Sequence, residues 1–316
     1  MADTMVDVAA RMLAGCMALT PEETLLVVTD PGTREIGEAL FEGGARLGAK
    51  SILMVMPPTG RHGAEPPSAV AEAMKRVDVV ACPTQHSLTH TQARLEAVRA
   101  GVRLATMPGI THDMFFAGAV SADYEAVAAA SRRFADLLTN ANEARIVKAG
   151  KELILPIEGR KAVASTGLYR QRGESGNLPS GEAYIAPVEG LGHGEMIIDG
   201  SLAGIGKLDA PVLVRIEKGL LVSAEGPAGA RLLEILDASP DGRNVGELGV
   251  GTNDRARLSG IVLEDEKVYG TVHVAFGDNH TFGGNTRAGV HIDGIVLQPD
   301  LYLDGKLVVS GGKLLV

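Results

Sequence analysis

The sequence predicts an α/β N-terminal domain with a doubly wound sheet, followed by a β-rich α+β metal-binding domain. Two patterns carry this. Short apolar runs alternate with ten-residue helical stretches over roughly the first 140 residues, as βαβ units require. From Ala144 onward strands follow strands across Gly-containing turns. The domains are therefore expected at 1–143 and 144–316, a division that 316 residues accommodate.

Each element has a local reason. MADTMVDVAARMLAGCMAL reads as an amphipathic helix, because acids precede its first Arg and Arg11 interrupts any signal-type apolar run. TLLVVTD (24–30), SILMVMP (51–57), VDVVACP (77–83) and VRLATMP (102–108) are apolar runs suited to buried parallel strands. Between them lie helices at REIGEALFEGGARLG, with Thr33 as its expected N-cap, at PSAVAEAMKR, and at THTQARLEAVRAG, which ends on a Gly C-cap. YEAVAAASRRFADLLT (124–139) is a long amphipathic helix. The second half reads as strands ARIVKAG, ELILPIEGR, KAVASTG, EMIIDGS, PVLVRIEKG and LLVSAEG, one helix PAGARLLEILDAS (227–239), then VYGTVHVAFG, GVHIDGIVL and the hairpin LYLDGKLVVS, which turns at Asp304-Gly305.

Composition excludes several classes. Apolar residues at 45% and charged residues at 22% rule out disorder for the chain as a whole. A net charge of −9 repels phosphate backbones and anionic lipid, so neither nucleic acid nor membrane is expected as a partner. Six Phe, five Tyr and no Trp leave little for a base-stacking platform. No run of 18 apolar residues exists, so no membrane span is expected. Cys16 and Cys82 form no disulfide framework, and a reducing, cytoplasmic location is expected.

The candidate chemistry lies in the second half. His273, His280 and His291 fall within 19 residues. In His291-Ile292-Asp293 the imidazole and the carboxylate stand at i and i+2, which on a strand means one face and a ready ligand pair. Glu182 in NLPSGEAYIAP and Glu247 in VGELGVGTN are acids among small residues that permit close backbone approach. Any one of these taken alone is better explained as a core or turn residue; the His-x-Asp pair with His273 shifts the balance toward a site. GVGTN is not a phosphate loop, since it lacks the Gly-Lys-Ser/Thr ending.

NLPSGEAYIAP, VGELGVGTN, EDEKVYGTVHVAFG, FGGNTRAGVHID and PDLYLDGKLVV, in that order, resemble the aminopeptidase T / aminopeptidase S family of metallo-aminopeptidases. LLVVTD and ALFEGGARLGAK extend the likeness more loosely to the first half. The resemblance implies a metal site built from Glu182, Glu247, His273, His291 and Asp293. It implies two divalent ions (Zn, Co or Mn), a metal-activated water, and one glutamate, Glu182 or Glu247, as proton shuttle. It further implies a homodimer and a small-molecule or short-peptide substrate. The function expected on this basis is hydrolysis of an amide or other C–N bond. The family's catalytic tyrosine is expected seven residues after His273, where this chain has His280.

The chain is also similar to the 2,5-dihydroxypyridine dioxygenases, shorter proteins on the same scaffold that use one Fe(II). That resemblance implies a ring-cleaving reaction on a hydroxylated N-heterocycle as the alternative function. In that group a histidine takes the place of Glu247, and the places of Glu182 and His273 hold non-ligands. PTQHSLTHTQARLEAVRAGVRLATMP resembles their first half, where a catalytic histidine falls at His86. A third reading is a non-catalytic metal-binding scaffold.

Overall fold

The protein is described by a computed structural model covering residues 3–315; Met1, Ala2 and Val316, at the ends of the two expected domains, lie outside it. The chain divides into two units. One comprises the residues up to Tyr124 together with Gly167–Ser180, and the other comprises Glu125–Thr166 together with the residues from Gly181 onward.

The first unit opens with α1 (Met5–Met17), capped reciprocally: the Thr4 hydroxyl accepts from Asp7 N, and Thr4 N donates to the Asp7 carboxylate. Strands β1 (Thr24–Thr29), β2 (Lys50–Val55), β3 (Val79–Thr84) and β4 (Arg103–Pro108) alternate with α2 (Arg34–Arg46), α3 (Ser68–Met74) and α4 (Gln92–Arg99), followed by the short α5 (His112–Phe116). The strands pair in parallel in the order β2-β1-β3-β4. β1, β3 and β4 are buried almost throughout, as strands covered on both faces must be. Thr33 does sit at the α2 N-cap, but its hydroxyl donates to Pro83 O at 2.7 Å instead of capping the helix.

The division is not a single cut at 143/144. Residues 167–180 return to the first unit because Ser175–Asn177, the eighth strand in chain order (β8), extend the sheet in parallel beside β4. Three residues reading Ser-Gly-Asn carry no apolar period, so sequence alone gives no signal for that strand. Cys16 and Cys82 are buried and form no disulfide, and burial pushes the Cys82 thiol up to about 12, which makes it unreactive.

The second unit begins within α6 (Tyr124–Thr139) and is built on two largely antiparallel sheets. One contains β5 (Glu143–Lys148), β6 (Lys151–Pro156), β10 (His193–Ile198), β13 (Val212–Glu217), β14 (Leu220–Ala224), β18 (Asp300–Leu303), β19 (Lys306–Ser310) and β20 (Lys313–Leu314), in the order β14-β13-β10-β6-β5-β18-β19-β20. The other contains β7 (Val163–Ser165), β9 (Glu182–Ile185), β11 (Ser201–Leu202), β12 (Gly206–Lys207), β15 (Val245–Gly251), β16 (Val272–Gly277) and β17 (His291–Val296), in the order β12-β11-β17-β16-β15-β9-β7. Helix α7 (Gly226–Asp237) and the single turn α8 (Val262–Asp265) complete the unit. Among the described residues, no helix is long and apolar enough to cross a membrane.

The second sheet is two-faced. Leu248 and Val250 of β15, Val272, Val274 and Phe276 of β16, and Ile292 and Val296 of β17 alternate onto one face. They share one hydrophobic cluster with Ile146, Leu153, Met196 and Val214 of the first sheet, Phe134 and Leu138 of α6, and Leu232 and Leu236 of α7. From Glu247 onward on β15, and along β16 and β17, residues of odd number turn the other way; Val245, ahead of the bulge in β15, joins the hydrophobic cluster. Leu248 is fully buried and is paired to Ile185 on one side and Val274 on the other. Leu248→Ala should therefore cost about 2–5 kcal/mol of stability in urea unfolding. A loss under about 1 kcal/mol would contradict this placement of the core.

Candidate metal centre

The pairing register settles which side chains share the second face. Glu247, Ala275 and Asp293 form one row across β15, β16 and β17; Gly249, His273 and Ile295 form the next; His291 pairs with Gly277 and Glu182 with Gly251. Cross-strand partners and i, i+2 neighbours lie on the same face. All five residues expected as ligands, Glu182, Glu247, His273, His291 and Asp293, therefore project from one face of four adjacent strands.

Small residues make room between them. A Cβ on Gly249 would stand 2.0 Å from His273 Nε2, so only glycine lets this imidazole lie across β15. A Cβ on Gly251 would stand 2.0 Å from the carbonyl of Val268, so that glycine admits the loop following α8.

His273 Nε2 lies 3.2 Å from Glu247 Oε1 and 3.3 Å from Glu182 Oε2. His291 Nε2 lies 3.5 Å from both Glu247 Oε2 and Asp293 Oδ1. Ligands about 2.1 Å from a metal at right angles to one another stand about 3 Å apart, so these separations suit one ion. One ligand atom from each of Glu247, His273 and Asp293 falls within 4.8 Å of the others, and so does one from each of Glu182, Glu266 and His273.

Glu182 Oε2 and Asp293 Oδ1 are buried and accept no hydrogen bond. Left so, a carboxylate oxygen costs on the order of 1–3 kcal/mol; a divalent ion removes that deficit at Asp293, and Glu182 Oε2 has His273 Nε2 at 3.3 Å. The residues thus fit a divalent metal. The ring of His291 is also set for it: Nδ1 is 2.8 Å from Asp278 O, and donating there leaves the Nε2 lone pair toward Glu247 and Asp293.

The charges are strongly coupled. Burial lowers the His273 pKa, but the carboxylates of Glu247, Glu182 and Asp293 outweigh it and raise it to about 9. Burial likewise opposes, and Asp293 and Glu247 overcome, in bringing His291 up to about 10. Asp293 is held at about 2 although burial works against it, chiefly by His291 and then by His273 and Lys267. Burial pushes Glu182 upward.

Two residues of this cluster are absent from the sequence reading. Lys267 has no exposed side-chain surface; its Nζ donates to Glu182 Oε1 at 2.8 Å and pairs with Glu266. Burial acts to strip its proton, and Glu182 and Glu266 together keep it above its usual value. Burial lifts Glu266 to about 7. The segment is held by Asp265, whose carboxylate accepts from Ser201 Oγ, Ser259 N and Gly260 N. The available signal was the Glu-Lys pair in EDEKVYGTVHVAFG, six residues before His273.

His280 begins a short 3-10 turn and is half-buried; its Nδ1 bonds the Asp278 carboxylate. It is thus linked to His291 through Asp278, whose carbonyl His291 bonds. Phe282 in the same turn lies edge-on to His291 (6.1 Å between ring centres) and to Tyr184 (5.3 Å). Glu189 ties this loop down, accepting from Asn279 Nδ2 and Asn285 N and pairing with Arg160. His86 lies in the first unit just after β3, with its ring edge-on to His62.

A sequence profile of the family described as NicX, 2,5-dihydroxypyridine 5,6-dioxygenase, matches residues 4–316. The 2,5-dihydroxypyridine 5,6-dioxygenase of Pseudomonas putida KT2440 is 25% identical over 185 residues, 52% of this chain and 51% of that protein. The chain thus spans about half the length of the curated relative it matches. Among solved structures, 2,5-dihydroxypyridine dioxygenase from Pseudomonas putida KT2440 aligns with a TM-score of 0.81 at 19% identity, covering 99% of this chain and 97% of that one. AmpT from Thermus thermophilus aligns with a TM-score of 0.72 at 17% identity, covering 99% of each. At these identities the two structures speak for the shared mixed α/β scaffold alone.

Two outcomes follow from the geometry. Gly249→Ala should displace the His273 ring, cost about 1–3 kcal/mol in urea unfolding and weaken divalent-metal binding at least about 10-fold. Unchanged binding would contradict the packing of His273 on β15. In the metal-free protein, folding raises both imidazole values above 6.5. Their stabilising contribution is complete below that pH and is lost as pH rises through about 9 and 10. The urea midpoint of metal-free protein should therefore fall from pH 7 to pH 10; a rising midpoint would refute the pairing.

Proposed function

This chain belongs to the family of 2,5-dihydroxypyridine 5,6-dioxygenases, and from that membership we propose that it is an Fe(II)-dependent, ring-cleaving dioxygenase of a hydroxylated N-heterocycle. The observation that carries the proposal is the convergence of His273, His291, Asp293 and Glu247 on one buried patch of sheet. Two imidazoles with a carboxylate are the donor set of non-haem iron oxygenases.

The expectation of an aminopeptidase-type hydrolase, with its metalloprotease chemistry, is corrected by the family match over residues 4–316. What remains of the aminopeptidase likeness is the scaffold, shared with AmpT. Glu182 and Glu247 are both present, as the hydrolase expectation requires. In the folded protein, however, one of those acids, Glu182, is engaged by a lysine that sequence did not place there. The reading as a non-catalytic scaffold also gives way, since the family is one of enzymes.

Glu247 stands where the dioxygenase resemblance implies a histidine. We assign the second imidazole instead to His273, on the neighbouring strand and one row away. Held by His273, His291, Asp293 and Glu247, ferrous iron supplies the one-electron chemistry through which dioxygen reacts with an electron-rich ring. The chain's own groups do the rest. The Asp278 carbonyl fixes the His291 ring, and the edges of Phe282 and Tyr184 offer a flat aromatic substrate an apolar flank. His280, held by the Asp278 carboxylate, is the group we assign to accept a proton from a ring hydroxyl.

Protein loaded anaerobically with Fe(II) should consume O₂ when given 2,5-dihydroxypyridine, with loss of the substrate's aromatic absorbance. His291→Ala and Asp293→Asn should each lower this rate at least about 100-fold. Absence of oxygen uptake by the loaded protein with any dihydroxypyridine would sink the proposal. His280→Ala should lower kcat more than it raises KM; an unchanged kcat would remove its assigned role.

A further inference from the structure

The metal-type donors on the sheet face fall into two overlapping groups. Glu247, His273 and Asp293 make one, and Glu182, Glu266 and His273 make the other. Loading both with divalent ions would place two cations side by side, as in binuclear sites, where the ions stand about 3.5–4 Å apart. Two features of this chain oppose it.

The first is His273. Its Nε2 is the atom that approaches both Glu182, at 3.3 Å, and Glu247, at 3.2 Å. A single imidazole lone pair binds one metal, so with His273 on the first ion a second would be held by Glu182 and Glu266 alone, and whether it binds turns on what occupies those two acids. The second is Lys267. Its ammonium is fully buried, donates to Glu182 Oε1 at 2.8 Å and pairs with Glu266. It therefore lies between the two carboxylates that a second ion would need. Its segment is not free to swing out: Asp265 is bonded to Ser201, Ser259 and Gly260, and Lys267 O accepts from Asn253 N at 3.0 Å.

We propose that Lys267 is a built-in cation that occupies the second metal position, so that the sheet face takes one divalent ion, at Glu247, His273, His291 and Asp293. This rests on the metal reading of the site made above. Four carboxylates (Glu182, Glu247, Glu266 and Asp293) converge here, and leaving them unpaired in a buried patch is strongly unfavourable. A lysine supplies one positive charge without offering a lone pair, so the Glu182–Glu266 end is neutralised and closed to metal at once. Glu182 is then a positioning residue: its Oε1 holds the ammonium, and its Oε2 lies against His273 Nε2.

The test is a count of ions. Metal-free protein is titrated with Mn²⁺, the bound metal is measured after desalting, and the Mn²⁺ spin-resonance spectrum is recorded. The unaltered protein should hold one Mn²⁺ per chain with the spectrum of an isolated ion. Lys267→Met should hold two, with an exchange-coupled spectrum. Two ions in the unaltered protein, or still only one in Lys267→Met, would overturn the proposal. Lys267→Met leaves two buried acids facing each other and is purified with Mn²⁺ present, its fold checked by circular dichroism.

If that variant does not fold, Glu182→Gln decides. It should keep one Mn²⁺ with affinity within about 3-fold, whereas Glu247→Gln should lose about 10- to 100-fold. Equal losses would make Glu182 a ligand and end the proposal. One Mn²⁺ per chain in a protein whose Fe(II) form consumes no oxygen would overturn the dioxygenase reading and support the lysine's role. No bound Mn²⁺ at all would overturn both.

Discussion

A sheet that uses both of its faces for burial must satisfy two unlike demands with one alternating chain. On β15 from Leu248, and on β16 and β17, the even-numbered residues other than Gly294 belong to the main hydrophobic cluster of the second unit, as does Val245 ahead of the β15 bulge. The odd-numbered ones, with Glu182 of β9, gather ionisable groups that are nearly as inaccessible: His273 is fully buried, and Glu182, Glu247 and Asp293 are 5–6% exposed. A one-residue slip of any of these strands would send valines into the charged patch and carboxylates into the core. Register here is therefore fixed by chemistry on both sides, and the site and the core stabilise the same pairing.

Charges gathered in this way must be compensated. Protonated imidazoles and Lys267 do so in the metal-free chain, as the raised values of His273 and His291 reflect. A divalent ion bound as proposed would take over that duty for Glu247 and Asp293 on displacing the imidazole protons, and Lys267 would keep its share for Glu182 and Glu266.

The legible part of this protein is the part with a period. Apolar runs marked the strands β1 to β4, and the helix at 124–139 was read to the residue. The His-x-Asp spacing placed His291 and Asp293 on one face because a strand repeats every two residues. Ser175–Asn177, α5 and α8 are three to five residues long and carry no such repeat. Glu266 and Lys267 lie just after a single helical turn, where nothing local says which way a side chain points. Lys267 enters the site because Gly251, sixteen residues earlier, lacks a Cβ that would block its loop. That contact is tertiary, and without it Glu182, Glu247, His273, His291 and Asp293 look like a complete binuclear ligand set.

The position of the metal on the sheet face separates one ion beside a buried lysine from a pair of ions. Crystals grown with Mn²⁺ and measured at a wavelength that reveals it would decide the matter. One anomalous peak is expected per chain, about 2.0–2.3 Å from His273 Nε2, His291 Nε2 and oxygens of Asp293 and Glu247, with Lys267 still between Glu182 and Glu266. A peak held by Glu182 and Glu266 with Lys267 displaced, or no peak on this face, would contradict the one-ion site.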